Sequence, residues 1–131
     1  MRQIITVSFL FCTTLSFASV TVVDGNHLKI EGNKFRLAFV EAPGLSGSCD
    51  AYKISIGCGS AARNALRRIV RGRDVVCESV DDRYLCFVGS REINAEMIAG
   101  GFATVSEGAP RKYESFYKAA RAKRQGLWRT P

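Results

Sequence analysis

The chain has 131 residues, 47% of them hydrophobic, with 19 Lys and Arg against 12 Asp and Glu and a formal charge of +7. That length fits one small domain near the lower end of what buries its own core. The positive field attracts polyanions (nucleic acid, acidic polysaccharide or an anionic membrane surface) without choosing among them.

The opening residues read as a secretory signal. Arg2 is the charged region, Ile4 to Phe17 is mostly apolar, and Ser16-Phe17-Ala18 is a small-x-small cleavage site. The run is short and broken by Ser and Thr for a membrane span. A retained anchor is the competing reading, and bulky Phe11 speaks against a lipoprotein at Cys12. The expected organisation is a signal peptide over 1–18 and one domain over 19–131, periplasmic or secreted.

Three short strands follow as a meander. Val20 and Val22 alternate with polar neighbours up to a turn at Asp24-Gly25-Asn26, and Leu28 and Ile30 alternate with His27, Lys29 and Glu31. After Glu31-Gly32-Asn33, residues Phe35, Leu37 and Phe39 share one face. These turn residues supply the positive φ angles of tight hairpins. Pro43, which cannot donate to a ladder, ends the run, and 43–57 is a Gly- and Ser-rich loop.

Gly59 to Arg71 has the pattern of an amphipathic helix, with Ala62, Ala65, Leu66, Ile69 and Val70 inside and Arg63, Arg67, Arg68 and Arg71 outside. That arginine face has the form of a phosphate track and equally of a solvated helix face. Asp74–Val80 and Arg83–Val88 make a hairpin around Asp81-Asp82. A second helix spans Glu92 to Ala99 and Phe102–Val105 is a short strand. A third helix runs from Arg111 to Arg124, its core stripe formed by Tyr113, Phe116, Tyr117 and Ala120 and its outer side by Lys112, Lys118, Arg121, Lys123 and Arg124. Strands first and helices later indicate an α+β fold.

With Cys12 in the signal, Cys49, Cys58, Cys77 and Cys86 remain, an even set that argues for disulfides in an exported domain. Equal offsets from the Asp81-Asp82 turn set Cys77 opposite Cys86, which leaves Cys49 for Cys58. A zinc site competes poorly: the spacings are wrong and His27 is the sole histidine.

The pieces V-V-D-G-x-x-L-K-I and K-x-R-L-x-x-x-x-A-P, then C-G-S-A-A-R-N-A-L-R-R-I-V-R-G-R-D-V-V-C-E, D-R-Y, I-N-A-E-M-I-A-G-G-F-A and Q-G-L-W, occur in a fixed order. Together they resemble a staphylococcal-nuclease-type (thermonuclease-like) domain. The resemblance implies a five-stranded β-barrel of the oligonucleotide-binding type with three α-helices. It also implies calcium-dependent hydrolysis of phosphodiesters in single-stranded DNA or RNA.

Enzymes of that family hold calcium with carboxylates, set a glutamate beside the attacking water, and place arginines at the phosphorane-like transition state. A hard cation wants oxygen ligands and acts there as a Lewis acid, and guanidinium groups fork onto phosphate oxygens. Carried over by resemblance, the metal set is Asp24, Asn26 and Glu41, and the catalytic pair is Arg36 and Glu41. The family's Asp-Gly-Asp-Thr is here Asp24-Gly25-Asn26-His27, and its Ile-Asp-Ala-Pro-Glu is Val40-Glu41-Ala42-Pro43-Gly44, with no side chain where the catalytic glutamate belongs. Arg83 and Tyr84 are the nucleic-acid-binding candidates. The family's Asp-Arg-Tyr-Gly-Arg is cut short, because Leu85-Cys86 follows at once and the second arginine is lost. Ser106 stands near the place of a stacking tyrosine, and His27 is expected on the hairpin surface. In a straight strand Arg36 and Glu41 point to opposite faces, so the chain must bend before Glu41.

Removing one such donor or base costs about 10²–10⁴ in rate. The expected function is therefore an exported, monomeric, thermonuclease-like domain with lost or much reduced catalysis. It binds single-stranded nucleic acid or another polyanion, and calcium only weakly. The alternatives are a working calcium-dependent nuclease with a rearranged site, in which Glu107, Asp50 or Arg83 substitutes, and an envelope structural or interaction domain. On the nuclease ancestry, Asn26→Asp with Gly44→Glu should raise cleavage.

Overall fold

A computed structural model of the protein describes residues 3–14 and 18–129. Residues 3–14 have no regular secondary structure, and Ile4, Ile5, Phe9, Leu10 and Phe11 are exposed. Arg2 and the Ser16-Phe17 part of the expected cleavage site lie outside the described residues. No helix among the described residues is long and apolar enough to cross a membrane.

The meander is β1 (Val20–Asp24), β2 (His27–Ile30) and β3 (Asn33–Arg36), paired antiparallel in that order. At its second turn Glu31 and Gly32 have φ of 50° and 81°, the doubly left-handed geometry that matches strand twist. The first turn has another cause. Gly25 is not at positive φ; a Cβ there would lie 2.7 Å from the Cβ of Ala42 and 2.9 Å from that of Ala62. Glycine at this position serves close packing.

The third strand does not run straight to Phe39. That residue has φ 67°, a conformation costing a bulky side chain on the order of 1–3 kcal/mol unless its surroundings impose it. They do: the Phe39 carbonyl accepts the Ser106 N–H at 2.9 Å, and its ring packs on Tyr113 with centroids 5.1 Å apart. Beyond this bend, β4 (Val40–Glu41) leaves the meander and pairs with β8 (Thr104–Val105).

The third sheet comprises β5 (Val76–Val80), β6 (Arg83–Val88) and β7 (Arg91–Glu92), the last with no counterpart in the sequence reading. A parallel bridge between Leu37 and Tyr84 joins it to the meander. Because the chain turns at Phe39, the strands divide into three sheets, and among the described residues their pairings do not close into a five-stranded barrel.

Three helices complete the α+β fold: α1 (Cys58–Val70), α2 (Ile93–Ala99) and α3 (Arg111–Ala122). The stripe of α1 buries Ala62, Ala65, Leu66 and Val70 against β1, while α2 packs on β6 and α3. On α3, Tyr113 and Ala120 are buried, but Phe116 is 36% exposed. Three residues on from Tyr113 falls about 60° to one side of it, enough to leave the core at the stripe's edge. Burial, and then the neighbouring Glu92 carboxylate to which its hydroxyl donates a hydrogen bond, push the Tyr113 phenol upward from its ordinary pKa.

One residue of α2 ties these layers together. Asn94 is fully buried; its Oδ1 accepts the Cys86 N–H, and its Nδ2 donates to the carbonyls of Ala38 and Tyr84, each at 2.9 Å. It thereby holds the bend before Phe39 against β6.

Disulfides join Cys49 to Cys58 and Cys77 to Cys86, the second pair directly opposed across β5 and β6. Each closes a short loop, so reduction should lower stability by about 2–3 kcal/mol per bridge. A fall of that size in unfolding free energy on adding reductant, measured in urea, is the expected result.

Candidate functional site

The first turn carries two of the expected metal ligands, and both are engaged elsewhere. Asp24 Oδ1 accepts the Asn26 N–H at 2.7 Å and lies 2.8 Å from His27 Nδ1. His27 is therefore half-buried against Asp24 and does not stand free on the hairpin surface. Asn26 is only 7% exposed, and its amide forms a two-way clamp on Ala42, Oδ1 accepting the N–H and Nδ2 donating to the carbonyl, both at 2.8 Å. The amide pins the first hairpin to the segment after β4.

The bend at Phe39 performs the turn that a straight strand would not allow. It brings Glu41 round to Arg36, whose Nη2 lies 3.5 Å from Oε2. Arg83, at the start of β6, reaches the other carboxylate oxygen at 3.3 Å, and Ser106 Oγ donates to that same oxygen at 3.0 Å. The Glu41 backbone is fixed as well, since Thr104 Oγ1 donates to its carbonyl at 3.2 Å. Both oxygens of Glu41 are thus committed between two guanidinium groups and a hydroxyl. Each pair is partly exposed and individually worth little; together they set the carboxylate's direction.

Of the residues singled out from sequence, Arg36, Glu41 and Arg83 come together, while Asp24 and Asn26 form a separate arrangement. The Tyr84 ring makes an edge-to-face contact with Phe35, with centroids 4.8 Å apart. Gly44 offers no functional group, and a Cβ built on it meets nothing within 4 Å. Glu107 lines the cleft beside Glu41, whereas Asp50 sits in an exposed 3-10 turn (Asp50–Tyr52). Ser106 is the partner that sequence reasoning missed. Nothing in the sequence announces it, because its contact with Glu41 arises only when β8 pairs with β4.

The cleft at this cluster has a volume of about 320 Å³ and is lined by Asp81, Asp82, Glu107 and Glu41 with Arg83 as its single cation. The shortened β5–β6 turn supplies the two aspartates. For an anionic ligand this rim is repulsive, and Glu41 competes with it for both arginines.

Calcium does not fit these residues. Asp24 is turned to His27, the Asn26 amide is spent on Ala42, and Glu41 is neutralised by arginines. Among the described residues no group of three or more His, Cys, Asp or Glu side chains could hold a metal ion. The arrangement orients a carboxylate between two guanidinium cations and has no side chain at position 44 to activate water.

A family model for staphylococcal nuclease homologues matches residues 34–130. The match contains Arg36, Glu41, Arg83 and Tyr84 and begins after Asp24 and Asn26. No curated protein matches the chain.

Proposed function

The chain belongs to the staphylococcal nuclease family, and from that premise we propose that it is an exported binding domain of nuclease descent, with catalysis lost or much reduced and single-stranded nucleic acid as its ligand. One observation carries the reading. Glu41 is paired with Arg36, Arg83 and Ser106 while Gly44 presents no base. In this reading Arg36, Arg83 and Tyr84 are the remnant of a substrate cleft, and Asp24, Asn26 and Glu41 the remnant of a metal set. Divalent cations bind no better than millimolar, the weak end of extracellular sites.

The remaining parts of the proposal concern organisation. Residues 1–18 act as the signal and 19–131 as a single monomeric domain, delivered to the periplasm or the medium. Disulfides are at home in such compartments. The three sheets are arcs of an oligonucleotide-binding barrel, with Leu37, just after β3, bridged to Tyr84 of β6.

A gel and anisotropy assay of the purified protein on single-stranded DNA and RNA, with calcium or with chelator, tests the function. Loss of both base and second arginine predicts cleavage at least about 10⁴-fold below an intact active site. Binding should persist in chelator and weaken steeply with salt. Calcium-dependent cleavage would put a working nuclease in place of this reading, and no binding under any condition would leave the envelope interaction domain.

A further inference from the structure

Five arginines gather around the C-terminal end of α1, none of them lining the Glu41 cleft. Arg67 and Arg68 occupy the last turn of the helix, Arg71 and Arg73 follow it, and Arg91 comes from β7. All five are exposed. Among the described residues no ion pair engages Arg67, Arg68, Arg71 or Arg73; Arg91 is held in a fork by Glu96 at 2.6 and 2.8 Å. The helix dipole favours cations in the last turn, which accounts for Arg67 and Arg68 but not for the three that lie beyond it.

Three neighbouring clefts that share lining residues lie between these arginines. One cleft of about 560 Å³ is lined by Arg68, Arg73, Arg91 and the ring of Phe102. A second, of about 250 Å³, shares Arg73 with it, and a third, of about 380 Å³ with Arg67 and Arg71, shares Val20 and Gly72 with the second. Glu96 and Asp74 are the only carboxylates in their linings. The Glu41 cleft has the opposite balance, with four carboxylates to one arginine.

We propose that this groove, and not the family's own cleft, is where the protein binds single-stranded nucleic acid, with phosphates along Arg67, Arg71, Arg73 and Arg68 and a base in the large cleft at Phe102. The inference rests on the binding reading above and supplies its location. A positively charged groove with an aromatic ring at one end suits a strand whose bases are free to stack, and Arg68 already lies over Phe102 at 5.8 Å. An anionic bilayer is the weaker occupant. The exposed large apolar side chains of the folded part, Leu45, Ile56, Val76 and Phe116, which a bilayer would take up, lie outside the groove.

Anisotropy titration of a fluorescein-labelled oligothymidylate tests this with charge-matched variants. Arg68→Ala with Arg73→Ala should weaken binding by about tenfold or more and flatten the logarithmic salt slope by about 0.7 per arginine. Lys118→Ala with Lys123→Ala removes the same charge from α3 and the residue that caps it, and should change affinity less than about twofold. Arg68→Lys with Arg73→Lys, which keeps the charge, should recover most of the loss and exclude misfolding as its cause. If the wild type binds but both alanine pairs lose affinity equally, or neither does, the groove is overturned while the binding reading stands. If the wild type ignores the oligonucleotide, or binds only phosphatidylcholine vesicles containing phosphatidylglycerol, both fall.

Discussion

Asn94→Leu should remove about 3–5 kcal/mol of stability, a large part of the 5–15 kcal/mol or so that a domain of this kind possesses. The side chain is fully buried and serves one backbone N–H and two carbonyls. Leucine fills much of the volume but leaves all three unpaired, each at about 1–3 kcal/mol before relaxation. Asn94→Asp should fare little better, since it keeps the acceptor for Cys86 and turns a carboxylate toward two carbonyls. Urea unfolding followed by circular dichroism reads the loss; a change under about 1 kcal/mol would mean that the bend and β6 are held by other contacts.

The sequence contained a sign of this residue. Asn94 shares a helix face with Met97 and Ile98, both buried, so a polar side chain sits on an apolar stripe. The periodicities of α1 and α3, the meander and the β5–β6 register were legible for the same reason: local spacing fixes which side chains share a face. What was not legible arises from long-range contact. The left-handed turn at Phe39 depends on Ser106 and Tyr113, and the clamp of Asn26 on Ala42 joins residues that no local pattern connects. Family motifs show which residue types are present at the site. Only the fold shows that Asn26 is spent on the backbone and that Arg83 takes up Glu41.

Asn26→Asp should therefore destabilise the protein by about 2–4 kcal/mol and give no gain in cleavage. This reverses the expectation drawn from motif restoration. The substitution deletes the donor to the Ala42 carbonyl and sets a carboxylate against it at a position 7% exposed. Gly44→Glu is the opposite case: the new side chain meets open space, and stability should stay within about 0.5 kcal/mol. Thermal melts of the two single variants separate the effects, and cleavage of single-stranded DNA with calcium by the double variant completes the comparison. A stable, cleaving double variant would show that the clamp is dispensable and that the metal set can be rebuilt.

The placing of the two disulfides has a consequence for how the chain is made. Each bridge spans nine positions, and cysteines pair in the order in which they emerge, Cys49 with Cys58 and then Cys77 with Cys86. A hairpin closes in about 1–10 µs, whereas thiol oxidation takes seconds to hours, so the local turn forms well before its bridge. Each cysteine is thus bridged to a neighbour along the chain, and local closure favours this arrangement among the three that four cysteines allow. The β5–β6 hairpin can be covalently closed without any contribution from α2, presenting the Cys86 amide as a finished template on which Asn94 then seats.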